Sequence, residues 1–257
     1  MLYHNLQVKN ENNITIIKIN RPERLNALNN ETRNELINAI DEFELDSNTK
    51  VAVITGSKGS FSVGADLFDT TGEISQEVIK KDLEYSFHII VKKIRYSKKI
   101  FISALDGIVA GAGISIAFSC DYVFATKRTR FILAFQNVGL APDTGITYIL
   151  TRLAGSKFMK FLIEGGEFSA EYAEQNGLLE IVDDPLSHAS KIAYKISDGP
   201  FQAYSVAKKF INKSIYNDFD NFLNFEANEQ STLANTYDLK EGIRAFREKK
   251  EPKFKGE

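Results

Sequence analysis

Along most of the chain the apolar positions follow two periods, one of strands and one of helices. Apolar runs at 6–9 and 14–19 flank Asn10-Glu-Asn-Asn13 and predict a β-hairpin. A loop over 20–29, with one proline and repeated asparagines, separates this hairpin from Leu36, Ile37, Ile40 and Phe43. Those four share one helical face and predict a helix over 31–45. Val51-Ala-Val-Ile-Thr55 reads as a short buried strand running into a glycine loop at 56–66. A charged amphipathic helix is expected over roughly 76–94, then a buried strand at 100–105 and a glycine turn at 106–113. An apolar helical segment at 114–118 and a strand-like run at 121–125 come next. The turn Gly139-Leu-Ala-Pro-Asp-Thr-Gly145 carries one carboxylate, Asp143.

Helical pieces are predicted at 146–153, 157–163 and 170–176, the last between a candidate N-cap, Ser169, and a candidate C-cap, Gly177. A last strand is expected at 178–182. Strands and helices alternate with loops gathered at strand C-termini, an α/β pattern in which ligands bind at those ends. Beyond Asp198-Gly-Pro200 only helices remain in prospect, at 201–214, 220–236 and 238–249. The expected division is a core of 1–197 and an all-helical C-terminal region of 198–257. The apolar faces of that region (Phe219, Phe222, Leu223, Phe225, Leu233, Ile243, Phe246) exceed what so small a piece can bury within itself, which predicts packing on the core or on a partner subunit.

Composition narrows the classes. With 257 residues, 43% hydrophobic and 26% charged, the chain reads as soluble, globular and long enough for a substantial core. A net charge of −2 supplies no field to recruit nucleic acid or acidic membranes. The single Cys120 excludes an intramolecular disulfide, suits a reducing compartment and reads as a small core hydrophobe. The first residues lack the basic and apolar regions of a signal peptide, and no apolar run nears the roughly 20 residues of a membrane span. A cytoplasmic protein without metal or redox cofactor is the expectation, because no His/Cys/acid cluster has ligand spacing.

Three familiar motifs fail. Gly107-x-x-x-Gly111-x-Gly113 is not the dinucleotide-binding order, and no acid stands at the required distance beyond it. Gly59 and Gly64 have P-loop spacing without the Lys-Ser/Thr that completes it. Gly113-Ile-Ser115-Ile-Ala117 nearly spells a nucleophile elbow, but Ala117 replaces the final glycine and Ser115 would lie inside the helix. There remains a strand, a glycine turn and a helix N-terminus, an arrangement that binds anions or oxyanions, with Asp143 as a turn-mounted candidate base. Asp143 has a plainer reading too, as a turn former after proline.

Six stretches together resemble the crotonase (enoyl-CoA hydratase/isomerase) family: 20–28, 54–67, 102–113, 131–145, 168–178 and 241–250, in the family's order and across essentially the whole chain. The resemblance implies a spiral of ββα units with trimerising C-terminal helices, assembled as a homotrimer or dimer of trimers. It implies an acyl-CoA substrate, coenzyme A entering only as part of it, and an oxyanion hole made by the backbone N–H groups of Ala65 and Ala112. Val63, Gly64, Asp66, Leu67, Gly111 and Phe135 would line that groove, and Arg24, Leu25 and Ala27 match the loop that holds the CoA nucleotide; Arg24 also reads as a solvated loop arginine. The family's hydratases activate water with two glutamates, which align here with Ser115 and Phe135. Asp143 stands where the isomerase branch, including ring-1,2-epoxyphenylacetyl-CoA isomerases, carries its acid.

His88 reads as packing, although a dehalogenase branch pairs a histidine of this helix with the aspartate matching Asp143. The basic run Lys92–Lys99 reads as a solvated helix end, although one branch of the family binds RNA through such a helix. The resulting expectation is an isomerase that shifts a double bond through an enolate, with Asp143 as its single base. Three alternatives stand beside it: a hydratase recruiting water with Asp143 alone, a serine hydrolase using Ser115, Asp143 and His188, and a catalytically silent acyl-CoA-binding protein.

Overall fold

A computed structural model describes residues 3–68 and 74–257. Strands β1 (Leu6–Glu11) and β2 (Ile14–Ile19) form the expected antiparallel hairpin, Leu6 opposite Ile19. β3 (Val51–Thr55), β5 (Ile100–Leu105), β7 (Tyr122–Ala125) and β10 (Glu180–Ile181) extend it in parallel into a six-stranded sheet, ordered β1-β2-β3-β5-β7-β10. β3 and β5 are buried at every position because both faces of the sheet are covered. Alternate residues divide between the faces: Ala52, Ile54, Phe101 and Leu105 join the main core, while Val51, Val53, Ile100 and Ile102 form a second core. That second core lies under a helix absent from the sequence expectation, α8 (Pro185–Ser197), whose Asp184 cap accepts from Ser187 N.

A second sheet also escaped the sequence pattern. β4 (Ser60–Ser62), β6 (Ile108–Ala110), β8 (Arg130–Leu133) and β9 (Gly166–Ser169) lie in that order, only the last pair antiparallel. The chain steps from the large sheet to the small one three times, β3 to β4, β5 to β6 and β7 to β8, and each step leads into helix. The first helix of the chain, α1 (Asn30–Leu45), precedes this spiral, capped by the Asn29 side chain on Thr32 N. After β4 come α2 (Gln76–Asp82), a π-helical turn at Leu83–Phe87 and α3 (His88–Tyr96), where one longer helix was expected. After β6 comes α4 (Ala112–Ser119), and after β8 come α5 (Ile146–Ala154) and α6 (Met159–Glu164). This is the ββα spiral. α7 (Ala170–Gln175) leads into β10.

The C-terminal helices are α9 (Phe201–Ile215), α10 (Phe219–Thr232) and α11 (Tyr237–Glu248). They fold back on the core: Tyr216, Phe219, Leu223 and Ala227 belong to the same apolar cluster as Phe87, Ile90, Ile146 and Tyr148. The faces expected to be left over are thus mostly covered within the chain. Phe219, Leu223 and Ile243 are buried, and only Phe225 and Phe246 of the seven are exposed. The large exposed apolar residues of the region also include Val206, Phe210 and Ile211 of α9, with Phe210 at 70%. No helix among the described residues is long and apolar enough to cross a membrane.

Charge is buried where α3, β7 and α9 meet. Asp121 accepts from Arg95 Nη2 at 2.8 Å and from Lys208 Nζ at 2.8 Å. Lys208 also donates to the carbonyls of Ile94 and Lys99, and Arg95 to that of Ser119. A cavity of about 570 Å³ adjoins this cluster, lined by Cys120, Tyr204 and Tyr216 among others.

Candidate active site

Three neighbouring strands of the small sheet deliver the site. β4, β6 and β8 are parallel neighbours, Ser60 beside Ile108 and Ile108 beside Arg130, with a register shift between Ser60 and Ser62, and their C-terminal ends lie side by side. Ala65 comes after the first, Ala112 after the second and Asp143 after the third. Leu28 N donates to Gly64 O at 2.8 Å and Asp66 N to Leu28 O at 3.3 Å. Backbone groups alternate in direction along an extended chain, so the N–H of Ala65, between those two bonds, points away from Leu28. Ala112 opens α4, where a first-turn N–H has no acceptor within the helix.

Glycine brings the two donors together. Gly64 has φ +83°, and a Cβ there would stand 3.0 Å from Ala112 N and 3.0 Å from Ala110 O. Gly111, at φ +51°, would place a Cβ 3.6 Å from Gly64 Cα. The turns therefore pack backbone on backbone, and a side chain at Gly64 would intrude between them. Phe135 stands at their edge, its Cζ 4.0 Å from the Cβ position of Gly111.

The third turn holds Asp143 half-buried. Its Oδ1 accepts from Thr144 Oγ1 at 2.9 Å and its Oδ2 from Gln230 Nε2 at 2.9 Å. Gln230, on α10, also bonds the backbone of Ala141 in both directions, fixing the turn. Gly145 must be glycine: it has φ +78°, and a Cβ would lie 2.9 Å from the Phe219 ring. Its N–H is shared by the two carboxylate oxygens of Glu226, at 3.0 and 3.1 Å. Glu226 Oε1 in turn faces His88 Nε2 at 2.9 Å. Burial, then the charge of Glu226, pushes Asp143 up to about 7, partly offset by its hydrogen bonds to Thr144 and Gln230. Burial likewise pushes Glu226 up to about 8 and His88 down to about 4.

The residues singled out from sequence fall into two groups. Val63, Gly64, Ala65, Gly111, Ala112 and Phe135 surround the paired turns, and Leu67 lies half-buried just beyond. The 20–28 loop adjoins them through the Leu28–Ala65 bridge. There Arg24 is exposed, its guanidinium 5.8 Å over the Phe68 ring, and Leu25 is exposed beside it. Ala27 is buried, its carbonyl accepting from Arg21. Asp66 turns inward: Oδ2 accepts from Arg21 Nη1 at 2.8 Å and Oδ1 from Phe68 N at 3.2 Å, so its carboxylate is engaged in holding the loop.

Ser115 is buried in α4, with its hydroxyl 3.4 Å from the Asp143 carbonyl. His188 lies across the large sheet on α8, its ring 4.6 Å from that of Phe124. The serine hydrolase arrangement therefore lacks its base. Of the basic run, Lys92 pairs with Asp220, Lys93 with Asp41 and Arg95 with Asp121, while Lys99 caps the carbonyls of Phe43 and Asp46. Those charges are answered within the chain.

Glu226 and Gln230 escaped sequence reasoning. The signal was present: with Phe219, Leu223 and Ala227 they occupy positions i, i+4, i+7, i+8 and i+11 of one helix face. A carboxylate and an amide on an apolar stripe call for a buried partner.

Residues 9–257 match the family described as "Enoyl-CoA hydratase/isomerase". The chain is 31% identical over 254 residues to the 1,2-epoxyphenylacetyl-CoA isomerase of Escherichia coli (strain K12), covering 96% of each chain. It is 32% identical over 256 residues to the trans-2-decenoyl-[acyl-carrier-protein] isomerase of Streptococcus mutans, again covering 96% of each. Among solved structures, an enoyl-CoA hydratase from Mycobacterium avium subsp. paratuberculosis superposes with a TM-score of 0.87 at 28% identity, over 99% of this chain and 100% of that one.

Proposed function

The chain belongs to the enoyl-CoA hydratase/isomerase family and is an enzyme of it; from that premise we propose that it isomerises an unsaturated acyl thioester, with Asp143 as the base. The α-proton of a thioester is a weak acid, so its removal is fast only where donors meet the developing enolate oxygen and a base stands within reach. The N–H groups of Ala65 and Ala112 are the donors. Asp143 takes the proton from C2 of a 3-enoyl thioester and returns it at C4, leaving the double bond between C2 and C3. The bond count balances without water or cofactor.

One observation carries this reading over hydration. The positions that align with the hydratases' two glutamates hold Ser115, buried and directed at a backbone carbonyl, and Phe135, an apolar ring beside Gly111. Neither supplies a carboxylate to activate water. Asp143, with a pKa drawn to about 7, is matched to taking and giving a proton at neutral pH. The two isomerases among the relatives are named for different carriers of the acyl group, coenzyme A and an acyl-carrier protein, and the chemistry proposed at the thioester serves either. Coenzyme A is the proposed carrier here, with Arg24, Leu25 and Ala27 at the nucleotide end. Assembly as a trimer or dimer of trimers in the cytoplasm completes the proposal.

Asp143→Asn keeps the shape and removes the base. Isomerisation of 3-enoyl-CoA should fall by about 10²–10⁴-fold, the usual share of a general base, while acyl-CoA binding measured by calorimetry changes little. A variant that isomerises at the wild-type rate would remove Asp143 from the reaction.

A further inference from the structure

Asp143 sits in a turn that one helix grips from both ends. Gln230 of α10 accepts from Ala141 N at 3.1 Å and donates to Ala141 O at 2.8 Å, two residues before Asp143. Glu226, one helical turn earlier on the same face, accepts the N–H of Gly145, two residues after it. Between those grips the backbone is in an unfavourable state: Thr144, buried and β-branched, has φ +58°. Such a conformation persists where its surroundings over-determine it, and it gathers at functional sites. Held in it, Thr144 donates to Asp143 Oδ1 at 2.9 Å. Gln230 does more than grip the backbone, because its Nε2 also donates to Asp143 Oδ2 at 2.9 Å. One buried amide is therefore bonded both to the turn and to the carboxyl group that the turn carries.

We propose that Gln230 is a positioning residue for the proton transfer: its amide fixes the Asp143 side chain against the turn and, as a donor, favours the ionised form that accepts the substrate proton. The proposal rests on Asp143 being the base. A carboxylate without partners turns about its side-chain bonds, whereas one donor on each oxygen, from Thr144 and from Gln230, holds a single orientation. Each oxygen keeps a further lone pair for the proton in transit. A hydrogen bond donated to the charged form stabilises it, so the Gln230 contact lowers the pH at which the base becomes available, against the opposing effect of burial. An amide does this without carrying charge, so the acid can still return the proton; a lysine or arginine in its place would hold the carboxylate ionised. The titratable groups facing Asp143 are Glu226 of α10 and His88 of α3, the latter flanked by Lys92, which pairs with Asp220, and by Glu84, which pairs with Lys80. A substitution at Gln230 changes none of these groups, so its effect reports the amide.

The test pairs the kinetics of Gln230→Met with side-chain NMR of the full wild-type chain labelled with ¹⁵N-glutamine. Methionine keeps the length of the side chain and removes its bonds to Ala141 and Asp143. On the alkaline plateau, kcat for 3-enoyl-CoA should fall about 10- to 100-fold with KM within about threefold of wild type, the mark of a misplaced base. The acid limb of kcat/KM should move up by at least about half a pH unit, because the ionised form has lost a donor. Gln230→Glu keeps an acceptor for Ala141 N–H but faces Asp143 with an oxygen, and should move the limb up at least as far. An unchanged kcat, or an acid limb that stays put in the folded Met variant, overturns the proposal. In the wild type the Gln230 amide signals should shift with pH as Asp143 ionises, and Asp143→Asn should abolish that shift. This measurement needs neither a folded Gln230 variant nor turnover, and amide signals indifferent to pH overturn the proposal equally. Absence of isomerisation with the amide shift intact would instead refute the proposed reaction, so the two failures are distinguishable.

Discussion

Asp121 and Asp143 both lie low in the structure, yet their surroundings differ in kind. Asp121 is held between Arg95 and Lys208, and carbonyls and Asn212 take up other donors of those two cations. Asp143 has a second carboxyl group, Glu226, across its turn with a histidine behind that, and among the described residues its side chain accepts hydrogen bonds from a threonine and a glutamine. The first arrangement joins α3, β7 and α9. The second raises its acid to about 7, on the turn that follows the strand neighbouring the two glycine turns. Charge answered by opposite charge is architecture here, and an acid set near a second carboxyl group with no cation beside it is the candidate chemistry.

The difference can be broken from either side. Asp121→Asn leaves Arg95 and Lys208 buried without their counter-charge, which typically costs about 3–5 kcal/mol. Thermal unfolding should show a loss of roughly 6–20 °C for a chain of this size. The pH dependence of turnover in the surviving folded enzyme should not move. A shifted acid limb in this variant would show that the two clusters are coupled.

Damage to the proposed oxyanion turn should do the opposite. Gly64→Val places side-chain atoms against Ala112 N and Ala110 O, where even a Cβ has only 3.0 Å. Losing one such donor typically costs about 10²–10³-fold in kcat. Steady-state kinetics should show that loss with the acid limb unchanged, since Asp143 and Glu226 are untouched. Normal turnover in Gly64→Val would mean that the Ala65 and Ala112 N–H groups do not hold the thioester oxygen.

A smaller effect concerns stability alone. Asp143 and Glu226 are raised to about 7 and about 8 in the folded chain from ordinary values of 3.8 and 4.5. The folded state therefore binds more protons than the unfolded one between about pH 4 and 8, and stability falls as pH rises through that window. His88, lowered to about 4 from 6.5, acts the other way and loses its share as pH falls from 6.5 towards 4. The two effects oppose each other below pH 6.5, so the decline should be clearest from there to about pH 8, at up to ~1.4 kcal/mol per pH unit for each acid still titrating. Denaturant unfolding of wild type and of the double variant Asp143→Asn/Glu226→Gln should show a slope in the first and a flatter line in the second. Equal slopes would assign the pH dependence elsewhere.

Sequence reasoning reached the long elements and stopped at the short ones. Val51–Thr55 and Ile100–Leu105 are legible because strands covered on both faces are continuously apolar. β4 and β6 have three residues each, too few for any alternation to register, and yet they set the two glycine turns side by side. The glycines at 64 and 111 marked those turns without showing that they touch. Asp143 was visible as the carboxylate of a Pro/Gly turn. Glu226 was not, because in a helix bearing several acids a carboxylate looks solvated until its place on the Phe219–Leu223–Ala227 face is counted. Spacing along the chain also cannot reveal that residues 88, 143 and 226 meet. The apolar excess assigned to α10 and α11 was real as composition, but closure over the core buries most of it and leaves Phe210 and Ile211 of α9 exposed instead.

The central claim is that a carboxylate at Asp143 moves a proton along the acyl chain and that this site does not add water. Its most direct test is the partition of the wild-type enzyme between two reactions measured side by side: conversion of a 3-enoyl-CoA to its 2-enoyl isomer, and hydration of the same 2-enoyl-CoA to the 3-hydroxyacyl product, each as kcat/KM. Isomerisation should exceed hydration by at least about 10²-fold, and Asp143→Asn should abolish most of it. Brisk hydration of the 2-enoyl thioester that persists in Asp143→Asn would contradict the account.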